Sequence, residues 1–269
     1  MVEKEEVSAE KAENSLPRPP RDASAWAPLT PRIKVSSVPP GATNINLEGR
    51  RTAGALQGFG QLWQKTYRVR LPGVKISPAE VMQAWKENFA HFQPPENRFY
   101  PTMVGIKPGE VLFIDGRVPA FPGTPSVMPV ASGVMVLYAD DETFTVMTPE
   151  GFPESGWNTF SVSEEEGTLV AQIQSMCRAT DPLYEFYFRF LGSSAQQEKT
   201  WNHVLTSLAA HFSVNGQVVT TKTCVDPKMQ WDYSKNIWHN AAIRTVFYKV
   251  GAPLRWVRNL VRRPSTPAQ

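Results

Sequence analysis

The sequence predicts an α+β fold in which one antiparallel sheet packs on a long amphipathic helix. Three observations carry this. Four strand patterns follow one another, residues 134–138, Thr143–Met147, 157–163 and Thr168–Ala179. Polar turns at Asp140-Asp141 and Glu164-Glu165-Glu166-Gly167 fit hairpins between them. A helical pattern over 196–212 then places Trp201, Val204, Leu205, Leu208 and Phe212 on one stripe.

Taken from the start, residues 1–14 carry five Glu and two Lys and almost no large apolar side chain, and Pro17, Pro19, Pro20, Pro28, Pro31, Pro39 and Pro40 follow. Such a segment buries too little surface to offset its ordering entropy. Residues 1–56 are therefore expected to be a disordered or extended leader, although Trp26, Leu29 and Ile33 could pack in extended form. Residues 61–71 alternate, with Trp63, Lys65, Tyr67, Val69 and Leu71 on one face. Ser77-Pro78-Ala79-Glu80 opens a helix as a capping box with proline at the first helical position, and Pro94-Pro95 ends it.

Residues 103–107 and 111–115 read as a strand pair about Lys107-Pro108-Gly109, and 116–133, rich in proline and glycine, as a long loop. In Thr168–Ala179, Leu169, Ala171, Ile173, Ser175 and Cys177 share the drier face. Asp181-Pro182 starts a short helix. Residues 217–230 form a connector that holds a strand over 218–222, and a helical region runs from 233 to 261 with its break near Ala252, beside Gly251 and Pro253. The expected organisation is a leader over 1–56, a domain over 57–216, a connector with basic C-terminal helices over 217–263 and a disordered tail over 264–269.

Composition excludes several classes. The net charge of +3 is too small to argue for nucleic acid, and no stacking motif supports it. Two cysteines without a C-x-x-C fit buried thiols in a reducing compartment. The acidic N-terminus is no secretory signal, and no apolar run approaches the ~18 residues of a spanning helix, so a cytoplasmic location is expected. His203 and His211 lie eight apart, pointing roughly 80° away from one another, which is no chelating pair. No G-x-S-x-G elbow and no glycine-rich phosphate loop occurs, so neither metal nor cofactor is expected.

Further residues carry a resemblance. Gly58-Phe59-Gly60-Gln61-Leu62-Trp63-Gln64-Lys65-Thr66-Tyr67, Val136-Leu137-Tyr138-Ala139-Asp140-Asp141, Thr148-Pro149-Glu150-Gly151 with Gly156-Trp157, Asp181-Pro182-Leu183-Tyr184-Glu185 and Trp238-His239-Asn240-Ala241-Ala242-Ile243-Arg244 resemble a bacterial group of the START-like superfamily, also called SRPBCC or polyketide cyclase-like. The likeness spans roughly residues 50–260. It implies a helix-grip fold, a curved antiparallel sheet wrapped on a long helix with a cavity between them. It implies no catalytic residues, because such proteins share a cavity and not a reaction.

On that frame the expected function is binding of a small hydrophobic or lipid-like ligand, lined by Tyr67, Trp157, Ile173, Cys177, Trp201 and Leu205, with the way in under the 116–133 or 148–156 loop. An enzyme on the same scaffold, a cyclase, dehydratase or hydrolase, would use Glu150 or Glu154 from the loop beside the cavity. A third reading takes Arg255, Arg258 and Arg262, spaced i, i+3 and i+7, as a basic stripe for an anionic membrane surface or a partner.

Overall fold

The computed structural model describes residues 23–100, 104–119 and 127–252. Among these residues eight strands form a single sheet: β1 (Leu62–Leu71), β2 (Arg98–Phe99), β3 (Val111–Pro119), β4 (Val127–Ala139), β5 (Thr143–Met147), β6 (Glu154–Glu165), β7 (Thr168–Ala179) and β8 (Val218–Asp226). Their order is β2-β3-β4-β5-β6-β7-β1-β8, antiparallel at every step. Strands β2 to β7 follow the chain, whereas β1 arrives from upstream and pairs with both β7 and β8. The β6–β7 hairpin turns on Glu166 and Gly167, both at positive φ (52° and 72°), as a two-residue hairpin turn requires.

Among the described residues four α-helices accompany the sheet: α1 (Pro78–Glu87), α2 (Pro182–Phe190), α3 (Ser193–His211) and α4 (Ala241–Val250). The capping box of α1 is complete: Glu80 N–H donates to Ser77 Oγ at 3.2 Å and Ser77 N–H to Glu80 Oε2 at 2.8 Å. Asp181 caps α2 through Leu183 N–H (2.9 Å) and Tyr184 N–H (3.0 Å). The apolar stripes of α1 (Val81, Met82, Trp85) and α3 (Trp201, Val204, Leu205, Leu208) join the inward residues of β1 and β4–β7 in one core. Phe144 and Phe160 stack at its centre, 4.4 Å apart and 7° from parallel, with Trp85 and Trp201 edge-on to Phe160.

Four expectations change. Packing begins before residue 57. Ile33, Leu47, Ala53 and Ala55 are buried, and Ile33 and Leu47 form a second core with Val111, Phe113 and Met135 on the outer face of the sheet. Few apolar residues suffice there, because the outward side chains of β3 and β4 are themselves apolar. Residues 104–107 are turn and bend, with Gly105 and Gly109 at positive φ, so β3 pairs with β2 and β4 instead. The 116–133 stretch is largely strand, with β3 paired to β4 as far as Pro119 and Val127. The C-terminal helical region breaks at Asn240: a 3-10 helix, Trp231–His239, precedes it, and Asn240 Oδ1 caps α4 by accepting from Ile243 N–H at 3.1 Å. The expected break near Ala252, the arginine stripe Arg255, Arg258 and Arg262, and the tail 264–269 sit at or beyond the end of the described residues.

Candidate functional site

Strand period decides what faces α3. Along β6, Glu154, Asn158 and Phe160 point inward, and Trp157 points out. Between the inward face and α3 lies a cavity of about 160 Å³. Phe89, Phe160, Val134, Val146 and Trp201 make its apolar wall, and Glu154, Asn158, Gln197 and Thr200 interrupt it. Asn97 Nδ2 donates to Thr200 Oγ1 at 3.1 Å and ties the β2 end of the sheet to α3. Asn158 Oδ1, Ser193 Oγ and Trp201 Nε1, all on wall residues, are buried without a hydrogen-bond partner among the described residues. Buried polar atoms normally have one.

A second cavity, about 190 Å³, adjoins the first and shares Glu154, Phe188 and Gln197 with it. Its wall is charged, with Lys65, Arg178, Glu185 and Arg189 beside Ser175 and Cys177. Gln197 bridges the seam: its Nε2 donates to Glu154 Oε2 at 2.5 Å, and its Oε1 accepts from Lys65 Nζ at 2.8 Å. Lys65 Nζ also donates to Ser194 Oγ at 3.0 Å.

Desolvation raises the Glu154 carboxyl above its ordinary value, and Lys65 and the Gln197 hydrogen bond pull it back in part. The folded state therefore binds this proton more tightly than the unfolded chain. Stability attributable to Glu154 falls as pH rises above the ordinary carboxylate range, and the loss is complete above the folded pKa. Glu154→Gln is thus expected to be more stable than the wild type at neutral pH, with the gap closing below about pH 4. Urea unfolding across pH checks this; a variant less stable at neutral pH would contradict it.

The six expected lining residues divide. Trp201 lines the first cavity and Cys177 the second. Ile173 and Leu205, both at 0% exposure, belong to the solid core and to neither wall. Tyr67 is buried in the same core, its hydroxyl without a hydrogen-bond partner among the described residues; desolvation raises its phenol, with Glu198, Glu154 and Cys177 adding to the shift. Trp157 is a correction. It lies on the outer face beside Trp26, Leu137 and Met147, in an open hollow of about 550 Å³. An odd-numbered residue cannot share the face of Phe160 on an uninterrupted strand. Glu150 is also elsewhere: it accepts from Arg51 N–H at 3.2 Å and holds the Thr52–Pro149 bridge in place. Burial pushes the Cys177 thiol up, which disfavours a thiolate nucleophile. Lys65, Asn158 and Gln197 carry the polar side of the site and went unmarked in the sequence.

Among the described residues no helix is long and apolar enough to cross a membrane, and no group of three or more His, Cys, Asp and Glu stands as metal ligands would.

No family model and no curated protein matches the sequence. Solved structures are similar over part of it. Protein Ms6760 from Mycobacterium smegmatis is 12% identical and covers 56% of this chain and 90% of its own, with a TM-score of 0.38. The di-domain ARO/CYC StfQ of the steffimycin biosynthetic pathway is 9% identical over 56% of this chain and 50% of its own, with a TM-score of 0.39. Ara h 8.0201 is 11% identical over 56% of this chain and 98% of its own, with a TM-score of 0.37. The chain's own sheet order, with α3 against the inner face and a cavity between, is a helix-grip α+β fold.

Proposed function

We propose that the chain binds a small, mostly apolar ligand in the cavity between the sheet and α3. The observation that carries this is an aromatic-walled void interrupted by buried polar groups that lack partners among the described residues. Its size sets the ligand. A void of 160 Å³ is close to the ~150 Å³ apolar cavity that admits benzene and well below the ~300 Å³ at which pockets for drug-sized ligands begin. A one-ring or compact two-ring molecule fits, whereas a sterol or a whole lipid requires the walls to move.

Indole is the direct probe. It is expected to raise the melting temperature of the wild type and to leave Val146→Phe unmoved. Val146 lines the cavity, and the added ring fills it at a stability cost of about 1–3 kcal/mol. An equal response of both proteins would refute binding at this place.

One observation favours a second reading, an enzyme on the same scaffold. Glu154 stands in the cavity wall with its proton held more tightly than usual, as a general acid requires. Loss of turnover in Glu154→Gln with unchanged indole binding would support it; unchanged turnover would remove Glu154 from the chemistry.

A further inference from the structure

The second cavity is not needed for a purely apolar ligand, and its charges are unevenly matched. Glu185 is engaged by Arg189 at 2.7 Å, Asp226 by Arg178 at 3.1 Å, and Glu198 by Lys222 at 2.6 Å. Lys65 remains. It is 7% exposed, and its closest carboxylate oxygen among the described residues is Glu198 Oε1, 3.9 Å away and too far for a hydrogen bond. Its two hydrogen bonds go to the neutral groups of Ser194 and Gln197. An ammonium has three donors, and the third makes no hydrogen bond among the described residues; the ion pair to Glu198 is long and shared with Lys222, so the buried cation is only partly compensated.

Lys65 reaches this position for a reason of strand period. It shares the inward face of β1 with Tyr67, Val69 and Leu71, and it sits in register with Ser175 of β7, the next wall residue. Tyr67, Val69 and Leu71 run into the dry core, whereas Trp63 and Ser175 line the second cavity, so the long cationic side chain of Lys65 lies at the boundary and the cavity is its polar space.

We propose that the two cavities take one ligand, a small aryl or alicyclic carboxylic acid, with its ring in the first and its carboxylate against Lys65 in the second. This rests on the ligand-binding reading above and specifies the ligand's class. Gln197, at the seam, gives up one or both of its hydrogen bonds to let the molecule through, and the carboxylate accepts from the third donor of Lys65, closer than Glu198 stands. Glu154 then faces an anion. Its raised affinity for a proton suits that role, because the protonated acid donates a hydrogen bond to the ligand where an ionised one would repel it.

Calorimetric titration of the full chain with 3-phenylpropionate and with 3-phenylpropan-1-ol tests this, since the two share a ring and a chain and differ in the head. The acid is expected to bind the wild type at least about ten-fold more tightly than the alcohol, the margin of one charge-assisted hydrogen bond. In Lys65→Met that preference is expected to vanish while the alcohol binds within about two-fold of its wild-type affinity. Equal binding of the two by the wild type, or a preference that survives in Lys65→Met, overturns the inference and leaves the cavity reading standing. Binding of neither overturns both. Lys65→Gln replaces the methionine variant if that one does not fold, and the wild-type comparison is decisive without either.

Discussion

Phe160→Ala is expected to lower the free energy of unfolding by about 3–5 kcal/mol, the range for emptying a buried phenylalanine site. Phe160 is at 0% exposure. It stacks on Phe144, takes the edges of Trp85, Phe89 and Trp201 at 5.4–5.7 Å, and pairs in register with Ile173. The neighbours belong to α1 and the residues just after it, to α3 and to two strands, so no single element can collapse into the gap. Urea unfolding should show a lower midpoint at unchanged slope. The same residue lines the first cavity, so the truncation enlarges it. Saturating indole should therefore restore more stability to Phe160→Ala than it adds to the wild type. A loss below about 1 kcal/mol would mean that the aromatic cluster is not the centre of the core.

Gly151→Ala is the second large effect, and it acts through the backbone. Gly151 has φ +85°, and a Cβ built there would lie 1.9 Å from the carbonyl oxygen of His239. The Gly151 carbonyl accepts from Ala241 N–H at 2.8 Å, and Asn240 Nδ2 donates to Asp181 Oδ2 at 2.8 Å. Moving either strand of this contact unseats the start of α4 from the cap of α2. The expected loss is about 3 kcal/mol, left-handed strain plus the broken seat. Gly73→Ala is the control, because its φ of +79° is similar and nothing lies within 4 Å of the new Cβ; it should cost about 1–2 kcal/mol. Hydrogen exchange should show lost protection over Trp231–His239 and Ala241–Val250 in Gly151→Ala alone. Equal losses in the two variants would mean that strain, and not the seat, sets the effect.

The parts of the fold that were legible in the sequence are those set by nearest neighbours. The capping box at Ser77, the Asp181 cap, the Glu166-Gly167 turn and the stripe from Trp201 to Leu208 each depend on a few adjacent residues. What was not legible depends on distant partners. Ile33 and Leu47 look isolated among prolines, and only the apolar outer face of β3 and β4 gives them a place. Residues 104–107 look like strand until the glycines on either side of Lys107 are seen to turn the chain. Asn240 reads as one more helical residue until its side chain meets Ile243 and Asp181.

The site divides along the same line. Glu154 stood out as a carboxylate in the proline- and glycine-rich 148–156 loop, but nothing local distinguished it from Glu150. The two part because Glu154 begins β6 on its inward side and Glu150 meets Arg51 from the upstream segment. Trp157 was misplaced by its size: a large aromatic suggests a pocket, yet three residues from Phe160 it must face the other way. Lys65 was visible as the one charged residue on an apolar strand face. Its meaning depends on Ser194 and Gln197, more than a hundred positions downstream.

The most direct measurement is a diffraction experiment on crystals soaked with iodobenzene, whose iodine is located by anomalous scattering. The inner cavity is small and walled by aromatic side chains, and the outer hollow beside Trp26 and Trp157 is larger and open. An iodine peak enclosed by Phe160, Val146 and Trp201 is expected. A peak confined to the outer hollow, or none at all, would contradict it.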